Sequence, residues 1–153
     1  MSGHRFARVL CSPLGRARAT CELAGFGAAA QICPDLVEWD YGAYEGLTTD
    51  EIRRQCPGWS LWTDGVLDGE TVDQVAARAD RVVADSRLGE GDTLAFAHGH
   101  VLRVLAARWL DRDPRLGASF LLLPAGIGVL TWEHETPVVG CWNGLAGGPL
   151  ADD

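Results

Sequence analysis

Val72, Val75, Ala76, Ala79, Val82 and Val83 recur at steps of three and four along the chain. That spacing predicts an amphipathic helix over residues 72–86 with one buried face. Thr71-x-x-Gln74 ahead of it is a capping box, and Thr48-x-x-Glu51 repeats the device to open a short helix through about Gln55. Short, predominantly apolar segments that read as buried strands occur at Phe6 to Cys11, Thr93 to Ala97, Phe120 to Leu123 and Ile127 to Trp132. A Pro-Ala-Gly turn is expected to join the last two. Ser12-Pro13 predicts a helix start, with serine at the N-cap and proline at the first helical position. That helix should run to about Leu23 and stop near Gly25, and another should run from about Val101 to Leu110. Gln31 to Val37 is weakly extended and broken by Pro34, while Glu38 to Gly46 reads as a loop. Residues 57–70 hold Trp59 and Trp62 among prolines and glycines. Exposed tryptophans are costly, so an ordered excursion is expected there. Gly89 to Asp92 reads as a turn, and residues 144–153 as a frayed tail.

Strands alternating with helices predict an α/β fold with a largely parallel sheet, and the 153 residues suit a single domain. Ligands in such folds bind at the carboxyl ends of strands. Two strand-to-helix junctions therefore carry the chemical interest: Ser12-Pro13 to Arg18, and His98 to Arg103.

Net charge is −8 and every fixed side-chain cation is an arginine, because the sequence has no lysine. That balance argues against nucleic acid and anionic membrane surfaces as partners. The longest apolar stretch, Phe120 to Trp132, is broken by Pro124, Gly126 and Gly128 and is too short to span a bilayer. Five cysteines, an odd number with no C-x-x-C pair, argue against a disulfide framework or a four-thiolate zinc site. Residues 1–20 carry Arg5, Arg8, Arg16 and Arg18 without an apolar run, so a cytoplasmic location is the expectation.

At the first junction, a helix N-terminus offers unpaired N–H groups to an anion, and Arg16 in the first turn can reach over it. At the second, His98 follows a buried strand, and Gly99 lets a ligand approach the backbone. His100 lies two residues further on. His-x-His could supply two metal ligands, but no third stands at a zinc-like spacing, so no metal is expected. Glu38 sits in the aromatic loop, where a carboxyl group suits a general acid.

Taken in order, SPLGRARAT, LVEWDYGAYEGL, DGETVDQVAAR and AFAHGHVLR resemble the histidine phosphatase superfamily, of phosphoglycerate mutase-like fold, from about Phe6 to Asn143. The finer pattern resembles sedoheptulose-bisphosphatase-like and acid-phosphatase-like members more than the glycolytic mutases. The resemblance implies a three-layer α/β sandwich with a mostly parallel central sheet. It implies that Arg16 binds the transferred phosphoryl group, that Glu38 donates a proton and that His98 is the second pocket histidine. Ser12, Gly99 and His100 are expected around the phosphate and substrate. It further implies a phosphohistidine intermediate, no cofactor, and a small phosphorylated metabolite such as a sugar phosphate as partner. Oligomeric state is left open.

One departure matters. The family's nucleophile lies in an Arg-His-Gly triplet, which occurs nowhere in these 153 residues. His4 precedes the Phe6 strand, and its His4-Arg5 order is reversed. The expectation is a chain lacking the family's first strand and helix, roughly 30 residues or more, and inactive by itself. A fragment of a longer hydrolase is the expectation, with a phosphoester-binding pseudophosphatase and a mutase-type phosphotransferase as the alternatives. The resemblance places the absent strand next to Thr93 to Ala97. The sheet would then either close up by moving the C-terminal strands against that segment or keep an open edge.

Overall fold

The computed structural model describes residues 4–144. Three parallel strands, β1 (Arg8–Cys11), β2 (Ala30–Ile32) and β3 (Thr93–Phe96), form a sheet of order β2-β1-β3. Helix α1 (Gly15–Leu23) connects β1 to β2. Then come α2 (Thr49–Gln55), α3 (Leu61–Asp64) and α4 (Val72–Leu88) before β3, and α5 (Gly99–Trp109) after it. Strands β4 (Ile127–Glu133) and β5 (Thr136–Gly144) pair antiparallel as a separate hairpin.

Alternation along β1 sends neighbouring side chains to opposite faces. Leu10 packs with Val75, Ala79 and Val82 of α4 and with Val101, Val104 and Leu105 of α5. Val9 and Cys11 pack with Ala17 and Cys21 of α1 and with Phe96. Helices therefore cover both faces of a parallel sheet, the expected three-layer arrangement. Val75, Ala79, Val101 and Val104 are fully buried, and each such valine contributes about 1.5–3 kcal/mol.

Both capping boxes form: Thr48 and Glu51 exchange bonds at α2, Thr71 and Gln74 at α4. The excursion is ordered, with Leu61 and Trp62 buried. Its path requires Gly42 at φ +52°, because a side chain there would collide with the Leu67 carbonyl.

Four expectations need correction. Helix α1 starts at Gly15 with Leu14 as its N-cap, not at Ser12-Pro13. The Ser12 N–H still donates to the Phe96 carbonyl across the sheet (2.9 Å), so extended chain continues through Ser12. Helix α5 begins at Gly99 instead of Val101, with His98 as N-cap. Phe120 to Leu123 is irregular, following a 3₁₀ turn at Pro114–Ser119. The segment is held by side chains instead: Trp142 Nε1 and Asn143 Nδ2 donate to the Leu121 carbonyl, and the Leu123 N–H donates to Asn143 Oδ1. The true partner of β4 is β5. It reaches Gly144, the first residue of the expected tail; residues 145–153 lie outside those described.

Among the described residues β3 has one strand neighbour, β1, and the hairpin pairs only within itself. The edge of β3 stays open. The hairpin is tied to α4 and α5 through Trp132, whose ring lies 5.3 Å from Trp109, with the Arg87 guanidinium 5.1 Å from both rings. Among the described residues no helix is long and apolar enough to cross a membrane.

Candidate functional site

Because β1 and β3 are adjacent and parallel, Cys11 stands opposite Phe96, and the two strand-to-helix junctions emerge side by side. That register brings Ser12, Arg16 and His98 together. Arg16 Nε donates to His98 Nδ1 (2.9 Å), and His98 Nε2 lies 2.8 Å from Ser12 Oγ. An arginine can only donate, so Nδ1 is an acceptor and the imidazole is neutral with its proton on Nε2. Burial, and next the Arg16 charge, push the His98 pKa below the ordinary 6.5. Ser12 is fully buried and also accepts the Leu14 N–H, so its hydroxyl orients His98 instead of capping a helix. Arg16 is exposed, the side from which an anion would arrive.

Glu38 meets the second junction from the loop. Its Oε1 accepts the Trp39 and Val101 N–H groups (3.0 Å each), and its Oε2 accepts that of His100 (3.2 Å). His98 caps α5 with no side-chain bond, so Glu38 satisfies the first turn of that helix from outside. A carboxylate suits that end electrostatically. Gly99 leaves open space: a Cβ there would meet only Glu38 Oε2, at 3.9 Å.

His100 does not join the Arg16 cluster. Its Nδ1 lies 2.6 Å from the Tyr41 hydroxyl, and the rings of Trp62 and Trp39 stand 5.7 and 6.4 Å away. Burial is the main cause lowering its pKa, and burial also raises that of Tyr41, so the pair is a hydrogen bond between neutral groups.

Sequence reasoning missed Glu70 and Arg78. Arg78 is 8% exposed in the middle of the apolar stripe of α4. Its Nε and Nη2 donate to the two carboxylate oxygens of Glu70 (2.8 and 2.9 Å), and Nη1 to the carbonyls of Asp35 and Val37. Glu70 in turn accepts the Asp40 N–H at Oε2 and the Trp39 indole at its carbonyl. The backbone is thus held on both sides of Glu38. An arginine on an otherwise apolar helix face was the signal available in the sequence.

The chain matches the model of the histidine phosphatase superfamily (branch 1) over residues 1–144, and it belongs to that family. It is 41% identical over 128 residues to an acid phosphatase of Mycobacterium tuberculosis, covering 82% of this chain and 63% of that protein. It is 40% identical over 92 residues to the sedoheptulose 1,7-bisphosphatase of Saccharomyces cerevisiae, covering 49% of this chain and 34% of that one. The chain thus spans less than two thirds of the length of both. A solved structure of a Mycobacterium tuberculosis open-reading-frame product superposes with a TM-score of 0.84 at 38% identity, over 89% of this chain and 71% of that one.

Proposed function

We propose that this chain carries the phosphate-holding and proton-donating part of a phosphomonoester hydrolase that works through a phosphohistidine. Its substrate class is a small phosphorylated metabolite such as a sugar phosphate. The observation that carries the reading is the Ser12–His98–Arg16 cluster at two adjacent strand ends. A phosphate entering there would draw two parallel bonds from the Arg16 guanidinium and one from a protonated His98. Both would stabilise charge on the equatorial oxygens as phosphorus is attacked. Glu38 would protonate the departing alkoxide, then act as base for the water that hydrolyses the phosphohistidine. The attacking histidine belongs to an Arg-His-Gly triplet that these 153 residues do not contain.

Phosphate titration of the purified chain tests the cluster. Charge-assisted hydrogen bonds are worth about 1.5–3 kcal/mol, so Arg16→Ala should weaken phosphate or vanadate binding by roughly 10–100-fold. Equal affinity in the variant would overturn the assignment. The second reading is a phosphoester-binding module without catalysis. Joining a strand ending in Arg-His-Gly ahead of Phe6 separates the two: turnover gained, and lost again in Glu38→Gln, supports the hydrolase.

A further inference from the structure

Glu38 is fully occupied. Its Oε1 accepts the Trp39 and Val101 N–H groups and its Oε2 that of His100. A carboxylate offers about four lone-pair sites, so these bonds leave one. The Tyr41 hydroxyl takes it. Burial first, then the Glu38 and Glu45 charges and a hydrogen bond to the Glu38 side chain, hold the proton on that phenol. An alkoxide therefore finds no open position on Glu38. The backbone N–H partners are amides, which do not pass a proton on. Tyr41 is the partner that can.

Tyr41 has a second neighbour, His100 Nδ1, 2.6 Å from its hydroxyl. A phenol has one proton to give. While Glu38 is ionised, the carboxylate takes it in preference to a neutral ring nitrogen, because charge-assisted bonds are roughly twice as strong. Nδ1 must then carry the proton of the 2.6 Å contact, and Nε2 is left bare. When Glu38 is protonated, every bond in the chain reverses. Glu38 donates to the Tyr41 oxygen, Tyr41 donates to Nδ1, and the imidazole proton sits on Nε2. Arg103 also faces the ring and Arg16 the phenol, but guanidiniums have no acceptor to offer. Glu45 has Oε1 engaged by the Tyr41 N–H. His100 Nε2 enters none of the described hydrogen bonds, and the residue borders open space between Tyr41 and Trp62.

We propose that Glu38, Tyr41 and His100 form a proton relay, and that protons leave and enter it at His100 Nε2. In the donating step Nε2–H gives its proton to the departing oxygen, Tyr41 passes its proton to Nδ1, and Glu38 passes its own to Tyr41. One proton has left, Glu38 is ionised, and His100 is neutral with its proton on Nδ1. In the accepting step a water loses a proton to Nε2 as its oxygen bonds phosphorus, and the same transfers run backwards. The use of the relay in phosphoester cleavage rests on the reading given under Proposed function. The reversal of the chain does not.

Nitrogen-15 NMR of the 153-residue chain near neutral pH reads the relay directly. The His100 signals are those lost in His100→Gln. In the parent the ring should be protonated on Nδ1, the tautomer that free histidine disfavours. In Glu38→Gln the amide oxygen keeps the Trp39 and Val101 bonds and the NH₂ faces Tyr41, as a protonated carboxyl would. The His100 proton should move to Nε2. Tyr41→Phe should give the same tautomer, and Glu45→Gln should keep that of the parent. A parent ring protonated on Nε2 overturns the relay. So does a proton that stays on Nδ1 in Glu38→Gln or, should that variant not fold, in Tyr41→Phe. In the form extended by an Arg-His-Gly strand, kcat/KM reports the step that expels the leaving group. Tyr41→Phe should slow an alkyl phosphate about tenfold or more beyond its effect on p-nitrophenyl phosphate, whose leaving group departs without a proton. Equal losses on both overturn the relay. An extended form without turnover removes the hydrolase reading instead, and the tautomers then decide the hydrogen-bond chain by themselves.

Discussion

His98 and His100 come from one tripeptide, His98-Gly99-His100, and end in opposite settings. His98 faces the polar strand ends, where Arg16 and Ser12 fix both ring nitrogens. His100 faces the aromatic excursion and bonds a tyrosine. Glu38 stands between them, gripping the α5 N–H groups at His100 and Val101. One helix N-terminus thus separates a polar region, around Arg16 and Ser12, from an aromatic one, around Tyr41, Trp39 and Trp62. Motif spacing brings the two histidines close in sequence. The loop and the excursion, through partners far away in the chain, decide what each can do.

The comparison breaks most severely if either histidine serves as nucleophile. His98 has an Arg16 donor on Nδ1 and the Ser12 hydroxyl at Nε2, while His100 has Nδ1 engaged by Tyr41. The chain alone is therefore expected to show no turnover of p-nitrophenyl phosphate or sugar bisphosphates. Losing a nucleophile from such a constellation costs on the order of a millionfold in rate. Activity that co-purifies with the chain and disappears in His98→Ala or His100→Ala would show that one of them attacks phosphorus after all.

Next in size is the clamp that both regions share. Arg78→Met strands the Glu70 carboxylate and frees the carbonyls of Asp35 and Val37. Removing one partner of a fully buried ion pair costs about 3–5 kcal/mol; Glu70 is a quarter exposed, so a loss of about 2–3 kcal/mol is expected here, still a large share of a domain's stability. Urea unfolding should show the midpoint falling accordingly. Replacing both partners, Arg78→Met with Glu70→Leu, should recover part of the loss, because no buried charge remains unpaired. If the single variant is as stable as the parent, the clamp is not what holds the Glu38 loop between the two histidines.

Much of this architecture was legible because it is local. The valine stripe of α4 and the two threonine capping boxes need only their own residues, and all three form. Ser12, Arg16 and His98 were legible as junction residues, since parallel strands deliver their carboxyl ends to one side. The hairpin was harder. β5 carries Pro137 and Gly140 within it, and the chain reverses through His134 at φ +54° instead of through a glycine or asparagine. Its alternation is weak and its turn unmarked, so the apolar Phe120 to Leu123 run looked like the better partner for β4. The grip of Glu38 on α5 depends on the path of an irregular loop, which no periodicity encodes. Arg78 was visible as an intruder on an apolar face, but its partner Glu70 lies eight residues earlier, before the capping box, and only the fold brings the pair to the Glu38 loop.

The smallest expected effect is the sharpest test of the division between the two histidines. Both have pKa values pushed below the ordinary 6.5, burial first in each case. Below about pH 6.5 the unfolded chain therefore holds protons that the folded chain does not. Stability should fall as pH drops from there toward the lower folded values, by at most about 1.4 kcal/mol per pH unit for each group. Sulfate, which does not titrate in this range, should separate the two contributions. Bound at Arg16, it favours the imidazolium form of His98 and raises that pKa, removing the acid penalty on that side. His100, turned toward Tyr41, should keep its own. In urea unfolding between pH 7 and pH 5, saturating sulfate should flatten the pH dependence of the parent chain and of His100→Gln. In His98→Gln, which lacks the sensitive group, sulfate should leave the slope as it was. An equal response in both variants would mean that one anion governs both rings, and that the polar and aromatic regions form a single site.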